Sequence, residues 1–488
     1  MPDLRYLSLM GLVFAASCTV GPDYKRPEFY NNAELGKNLA LEPATAHPVY
    51  RDWYRQFNDP VMNRLIDEAL RQSPNVKIAT HKLREARYAL LVSNVNNFPM
   101  INADASYHYD KSSKDIGFSI DRDYYQTGLD ASWELDIWGG GRRQREAARA
   151  VFEAAGANLN NVKLVMASEI ANNYIALRTA QEQLRVAEDN LKLQEDIYEM
   201  VASRHKAGLT DDIALNQARY AVESTKTLIP TLAYNAEAYK NALSVLVGVL
   251  PDDLSADLAP QQRNLIRRRF TWHLDELYNL PVEVIRTRPD VMISEQNLIA
   301  QNAALGEAIA NLYPNVSISG FVGWQAGKIP GLINGSHSTY SYAPAINLPL
   351  FHWGQLMNTV KQQKEVKEQY VYQYQNAILN AVSEIKNSVT SIQQEHKRNQ
   401  AYEESVRSMK KVLTYTLSKY KNGLVNFTDL LDAEQALLKA QTELLASNGQ
   451  LYQSLVAFYK ASGGGFNERY QVCDQRSLLL NGTSCKIR

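Results

Sequence analysis

Five landmarks recur in this chain at one fixed interval, and that interval restricts the fold more than any other feature. Pro74 and Pro289, Pro99 and Pro314, Trp138 and Trp353, Gly208 and Gly423, and Gly248 and Gly463 share it: 289−74 = 314−99 = 353−138 = 423−208 = 463−248 = 215. Short local matches surround them, such as Ser73-Pro74-Asn75-Val76 with Arg288-Pro289-Asp290-Val291, and Phe98-Pro99 with Tyr313-Pro314. Such a register predicts a tandem duplication in which each half builds the same structural unit. Length alone, at 488 residues, would divide a chain into about three domains; the duplication replaces that with one architecture of two long repeats.

Each repeat contains a long proline-free stretch with apolar heptads. From Gly141 to Lys206, Leu177, Leu184, Leu191 and Tyr198 stand seven apart, with Ala180 and Ala187 between them. From Gln355 to Lys421, Ile378, Ile385 and Ile392 repeat the spacing, with Val382 and Val389 between them. A helix of that length runs to ~100 Å at about 1.5 Å per residue, and sustained heptads predict coiled-coil packing rather than a globular core. Gly208-Leu209 and Gly423-Leu424 follow as helix-closing turns, since glycine readily takes the left-handed conformation at a helix C-terminus. Asp211 and Thr428 are the expected caps of return helices running to about Val247 and Ala461, with a kink or break at Pro230. The result is a long helical hairpin in each half, with Gly-Leu at its tip.

The other end of the repeat has a period of two. Ile101, Ala103, Ala105, Tyr107 and Tyr109 alternate with Asn102, Asp104, Ser106, His108 and Asp110. Leu129, Ala131, Trp133, Leu135 and Ile137 alternate with Asp130, Ser132, Glu134 and Asp136. In the second repeat Val316, Ile318, Val322 and Trp324 share one face, and Tyr340, Tyr342, Ile346 and Leu348 that of a further strand, which Pro344 weakens. An apolar, aromatic-rich face opposite a polar one, over ~9–11 residues, is the pattern of transmembrane β-strands. No other apolar element of the repeat remains to cover these faces; lipid can. Four strands cannot close a barrel, because backbone groups in lipid must all be paired and barrels begin at about eight strands. The chain must therefore oligomerise. Two copies would supply eight strands and three would supply twelve, and the acidic inward faces favour the larger, water-filled lumen.

The N-terminus carries a short apolar run from Leu7 to Ser17, ending in Ala15-Ala16-Ser17-Cys18. That is a signal-peptide pattern. Small residues before a cysteine fit a bacterial lipobox in which Cys18 is lipidated and becomes the mature N-terminus; the other reading is an ordinary signal peptide beside an incidental cysteine. Cys473 and Cys485 are the only other cysteines. In an exported protein they either close a small disulfide loop or remain two unpaired thiols. The eight histidines show no metal-ligand spacing. A formal net charge of zero offers no basic field for nucleic acid, and no apolar run reaches the ~18–20 residues of a spanning helix.

Taken together, these residues resemble the TolC-like outer-membrane efflux factors, in particular their lipoprotein branch. The start Cys18-Thr-Val-Gly-Pro-Asp-Tyr-Lys-Arg-Pro27 is similar to that branch's N-terminal signature. Trp53, Phe57, Asp59-Pro60, Leu65-Ile66 and Ala69-Leu70 fit its first helix. Arg288-Pro289-Asp290-Val291 followed by Tyr313-Pro314, and Leu348-Pro-Leu-Phe-His-Trp-Gly354, resemble its second repeat. The resemblance covers nearly the whole mature chain. It implies an α+β membrane protein whose repeats each give a transmembrane β-hairpin and an α-helical coiled-coil hairpin. It further implies a homotrimer forming a 12-stranded β-barrel and an α-helical periplasmic tunnel, with no cofactor beyond the lipid on Cys18. Its partners would be a periplasmic adaptor protein, an inner-membrane pump, most simply of RND type, and outer-membrane lipid.

The resemblance also assigns roles. Arg204-His-Lys-Ala-Gly208-Leu209 and Lys419-Tyr-Lys-Asn-Gly423-Leu424 are similar to the adaptor-docking tips. Asp429 and Asp432, three apart on one helix face, resemble the acidic rings of the aperture; as a ring they would attract cations, whereas Asp429 alone is also a favourable first-turn carboxylate. The arginine–aspartate pair that locks the family's best-known aperture is not carried over, because Val425 and Ala214 occupy the corresponding places. The division expected is a signal peptide over 1–17, a lipidated segment over 18–60, and a first repeat over 61–248 with its β-hairpin at about 100–137. A linker over 249–282, a second repeat over 283–465 with its β-hairpin at about 315–350, and a tail over 466–488 complete it.

Other classes fit less of the chain. Trp138-Gly-Gly-Gly141 lacks both the lysine and the spacing of a nucleotide-binding loop, and no G-x-S-x-G elbow occurs, so no catalysis is expected. A structural coiled-coil surface protein would explain the heptads but not the amphipathic hairpins. A conduit for type I protein secretion shares the architecture and differs in cargo; the lipoprotein start favours the pump systems.

Overall fold

The computed structural model of the chain describes residues 19–30, 52–113, 115, 121–261, 265–268 and 284–470. The signal peptide, Cys18, half of the inter-repeat linker, and Cys473 and Cys485 lie outside these residues.

The first repeat comprises α1 (Pro60–Gln72), α2 (Pro74–Val95), β1 (Met100–Lys111), β2 (Asp121–Leu135), α3 (Gly140–Lys206) and α4 (Asp212–Val247). The second comprises α5 (Pro289–Ala310), β3 (Asn315–Ala326), β4 (Ser338–Asn347), α6 (Gln355–Lys421) and α7 (Phe427–Ala461), after a single helical turn at Val284–Thr287. The 215-residue step governs the boundaries themselves. For α2 and α5, β1 and β3, and α3 and α6, 289−74 = 310−95 = 315−100 = 326−111 = 355−140 = 421−206 = 215.

The landmarks owe their positions to contacts that other residues would spoil. Pro74 and Pro289 stand in the first turns of α2 and α5, where a missing N–H loses nothing. Gly248, at φ +89, closes α4 directly on Pro74; a Cβ there would meet the proline ring at 2.7 Å. Gly463 ends the second return helix beside Arg288 and Pro289 with room for a Cβ at 3.5 Å, so there the left-handed φ of +79 is what favours glycine. Gly139 and Gly354, at φ +84 and +77, turn each hairpin into its long helix just after a tryptophan.

Both long helices are 67 residues, and each packs antiparallel to its return helix. α4 continues unbroken through Pro230, contrary to the expected break. Pro230 is solvent-exposed, so its ring displaces no packed neighbour, and the surrounding turns hold the helix across the missing hydrogen bond. The main core surrounds Trp53, which is fully buried and stacks on Tyr459 at 5.1 Å. Met62, Leu65 and Ile66 of α1 join Tyr174 and Ile378 of the long helices and Leu455 of α7 there. Asp59 caps α1, accepting the Val61 and Met62 N–H groups at 3.1 Å, and also accepts the Tyr174 hydroxyl at 2.9 Å.

The four strands form one antiparallel sheet in the order β1-β2-β3-β4. Its register sets Ala103, Leu129, Val322 and Tyr340 abreast on one face, and Asn102, Asp130, Phe321 and Ser341 abreast on the other. Phe321 is an aromatic exception on the polar face, as is Tyr124 opposite His108. The Phe321 ring lies over Gly128 and Gly323, where a Cβ would stand 2.6 and 2.7 Å from Cζ, so the paired glycines let it lie flat along the wall. β4 runs through Pro344, opposite Ile318, at the cost of one donor to the ladder.

Candidate functional site: the hairpin tips

Both tips are built by the same backbone device. At the first, Leu209 N–H donates to Arg204 O and Gly208 N–H to His205 O, each at 2.9 Å. At the second, Leu424 N–H donates to Lys419 O at 2.9 Å and Gly423 N–H to Tyr420 O at 3.0 Å. A 6→1 bond closing over a left-handed residue satisfies the carbonyls that a helix end leaves open. Gly208 and Gly423 hold that residue at φ +70 and +74, with nothing within 4 Å of a Cβ built on either. The turns project Leu209 and Leu424 into solvent, 67% and 71% exposed. Two aligned leucines on rigid, water-facing turns are a natural contact for another protein.

The return helices start differently. Asp211 caps α4, accepting the Ala214 N–H at 3.0 Å. The cap of α7 is Asn426, not Thr428, which lies inside the helix. Asn426 is extended, and the Asp429 carboxylate three residues on accepts its N–H at 3.1 Å, a capping-box contact. Asp429 and Asp432 are both solvent-exposed on this first stretch of α7.

The two tips of one chain are tied together by Arg204 and Tyr420, which the sequence places in the tip motifs without indicating that they touch. The Arg204 guanidinium lies over the Tyr420 ring, 5.3 Å from its centroid, and donates to the Lys421 carbonyl at 3.3 Å. Tyr420 in turn packs edge-on against Phe427 at 5.7 Å. Ala214 and Val425, which stand where an ion pair was the alternative, belong to the same apolar cluster around Leu430 and Leu413. A cation over an aromatic face, together with this packing, joins the hairpins without a salt bridge. The signal was present in sequence, because 420−204 = 216 sets Arg204 and Tyr420 at nearly equivalent places in the two tips.

Glu434 was also missed. It is 1% exposed on the buried face of α7, its Oε1 without a partner, and burial alone pushes its carboxyl up to about 7. Leu430, Leu431 and Leu437, one turn away on either side, mark its position as part of the apolar seam.

A duplicated chain with a four-stranded amphipathic hairpin pair at one end and, at the other, two helical hairpins whose outgoing helices run ~100 Å has the architecture of the TolC-like channels. The family model for outer membrane efflux proteins matches it twice, over residues 65–249 and 280–464. These matches keep the internal step, 280−65 = 464−249 = 215. The chain belongs to this outer membrane efflux protein family, whose members are channels and not enzymes.

The cation efflux system protein CusC of Escherichia coli O6:H1 is 27% identical over 476 residues, spanning 96% of this chain and all of its own. The solvent efflux pump outer membrane protein SrpC of Pseudomonas putida is 26% identical over 474 residues, or 95% of this chain and 98% of its own. Among solved structures, the outer-membrane channel OprN superposes with a TM-score of 0.84 at 28% identity, covering 92% of this chain and 100% of that one.

Proposed function

We propose that three copies of this chain form the outer-membrane exit duct of a tripartite efflux system. A periplasmic adaptor protein would dock at the tips and link the duct to an inner-membrane pump of RND type. The observation that carries the oligomer is a contact between repeats that is made once and left open once. Within the chain, Trp138 stacks on Tyr313 at 4.8 Å, and its indole N–H donates to the Pro314 carbonyl at 2.8 Å. The counterpart, 215 residues away in each direction, is Trp353 with Phe98 and Pro99; there Trp353 is 88% and Phe98 65% exposed.

The helices repeat the pattern. Ala157 and Leu164 of α3 are buried, whereas their counterparts Tyr372 and Leu379 on α6 are exposed. Ala303 and Ala310 of α5 are buried, whereas Tyr88 and Val95 on α2 are exposed. One further copy on each flank covers every one of these faces and pairs β4 with β1 of its neighbour. Three copies of a four-stranded sheet supply the twelve strands of a barrel wide enough for a wet lumen, with Asn102, Asp104 and Glu134 turned inward.

Cargo enters at the tips and leaves through the barrel. Gly208, Leu209, Gly423 and Leu424 present the docking surface, and Arg204 with Tyr420 helps to hold the tips together when the duct is idle. Asp429 and Asp432 from three copies set six carboxylates around the aperture and favour cations there. Cys18 carries the lipid anchor. Relatives at about this similarity are named for cations and for solvents alike, which fits a duct that leaves recognition to its pump.

The test is a susceptibility and accumulation panel in a deletion strain, with and without plasmid complementation, covering lipophilic drugs, bile salts, solvents and metal ions. Sensitivity and retention restored to normal by the plasmid support efflux, and the compounds affected name the cargo. A strain that exports every compound normally yet fails to secrete a protein would overturn it in favour of secretion.

A further inference from the structure

Beneath the sheet lies a cleft of about 1200 Å³, floored by the first turns of α3 between Arg142 and Ala157. The end of α2 and the start of α5 wall it, and the N-terminal segment at Arg26 and the stretch 467–470 reach its rim. Arg142, Arg145 and Arg149 line it at i, i+3 and i+7, so they share one helix face and rise over ~10 Å. Arg286 and Arg469 bring two more guanidinium groups from other elements.

The carboxylates of the lining are already engaged. Glu146 pairs with Arg143, Glu153 with Arg149, Glu295 with Arg26 and Glu468 with Lys163. Arg142 is held by Asp136 at 3.4 Å and Arg145 by the Asn97 side-chain oxygen at 3.1 Å, but among the described residues no carboxylate bridges to Arg145, Arg286 or Arg469. Leu90, Leu91, Phe152 and Met292 add an apolar wall. Surplus guanidinium beside apolar surface suits an anion that carries hydrocarbon, and phosphate is the anion that the planar guanidinium fork grips in two-bond fashion.

Position selects the source. α3 begins at Gly140, five residues beyond the end of β2 at Leu135, so Arg142 and Arg145 lie within ~8 Å of the start of the helix that leaves the sheet. Val20 N–H donates to Trp138 O at 3.0 Å beside that turn, and the lipid proposed on Cys18 can reach the bilayer only from outside the duct. The cleft that Arg26 rims therefore opens toward the periplasmic leaflet. We propose that it binds a phosphate group, supplied by the headgroup of an anionic phospholipid of that leaflet. Basic pockets at the edge of a membrane commonly hold such headgroups. This rests on the outer-membrane placement but not on any pump, adaptor or cargo.

Native mass spectrometry of the full detergent-purified chain, offered phosphatidylglycerol, phosphatidylcholine or inorganic phosphate, tests it. The expected result is retention of phosphatidylglycerol over phosphatidylcholine, reduced roughly tenfold in Arg145→Gln/Arg149→Gln and only partly in Arg145→Lys/Arg149→Lys. Arg407→Gln, on the exposed face of α6, should leave retention unchanged. Should the double variant fail to assemble, Arg469→Gln from the opposite wall carries the same expectation. Equal retention of both lipids, or a loss no larger than in Arg407→Gln, would overturn the proposal. Binding of inorganic phosphate without phosphatidylglycerol would overturn the lipid source. None of these outcomes bears on export, so they stand apart from the test of the duct.

Discussion

Glu434 shows how much one side chain can report. Its carboxyl is raised from 4.5 to about 7 by burial, so the folded chain holds a proton that the unfolded chain has lost between those values. Stability should therefore fall as pH rises from about 4.5 to 7 and then level off. The full effect is on the order of 3 kcal/mol at 1.36 kcal/mol per pK unit. Glu434→Gln keeps the shape and removes the charge, so it should be the more stable protein at pH 8 and no different at pH 4. Thermal unfolding across that range decides, and parallel curves for the two proteins would contradict it. The exposed pair is a separate matter. Asp429→Asn/Asp432→Asn should leave assembly intact and abolish the cation preference of single channels; unchanged selectivity would remove these residues from the aperture.

The same residues show what a sequence can and cannot reveal at this scale. Gly248 and Gly463 were legible as landmarks, but their partners Pro74 and Pro289, ~175 residues distant in each repeat, are joined only by the fold. Thr428 looked like a cap because hydroxyls favour that place. Asn426 took it because Asp429 stands three residues beyond and accepts its N–H. Glu434 reads as one more solvated carboxylate until the leucines around it are counted by helical period.

Elements were the most legible scale, since long periodic stretches are governed by burial of one face. Both long helices and three of the four strands fall where their periods set them, within a few residues, whereas β2 begins at Asp121, eight residues before the alternation read from Leu129. Pro230 and Pro344 were exceptions of another kind. Each sits at an exposed place, where the chain loses one hydrogen bond but no packing. The tips permit a test at this scale. Leu424 is exposed and buries nothing in the chain, so Leu424→Ser should leave unfolding temperature within error and reduce export sharply. Gly423→Val adds a left-handed strain of about 1–2 kcal/mol and should abolish export while trimers still reach the outer membrane. Normal export by both variants would remove the tips from docking.

At the scale of the whole molecule, one duplication accounts for the architecture. A chain whose two repeats meet through Trp138 and Tyr313, and through β2 and β3, presents the same two surfaces again at its outer flanks. The number of copies was not legible from heptads or strand periods; the resemblance implies three. The way in which copies meet follows from the chain itself. β2 pairs Ala131 with Gly320; moved by 215 residues in each direction (131+215 = 346, 320−215 = 105), this sets Ile346 of one copy opposite Ala105 of the next.

The most direct test of the duct is therefore a cysteine cross-link at that joint. Ile346→Cys/Ala105→Cys is made in a Cys473→Ser/Cys485→Ser background, oxidised in intact outer membranes and run without reductant. The account predicts a ladder ending at covalent trimer, about three times the 55.0 kDa chain. Either single variant should give monomer. Failure of the double variant to link, or a ladder that stops at dimer, would contradict the closed ring of three.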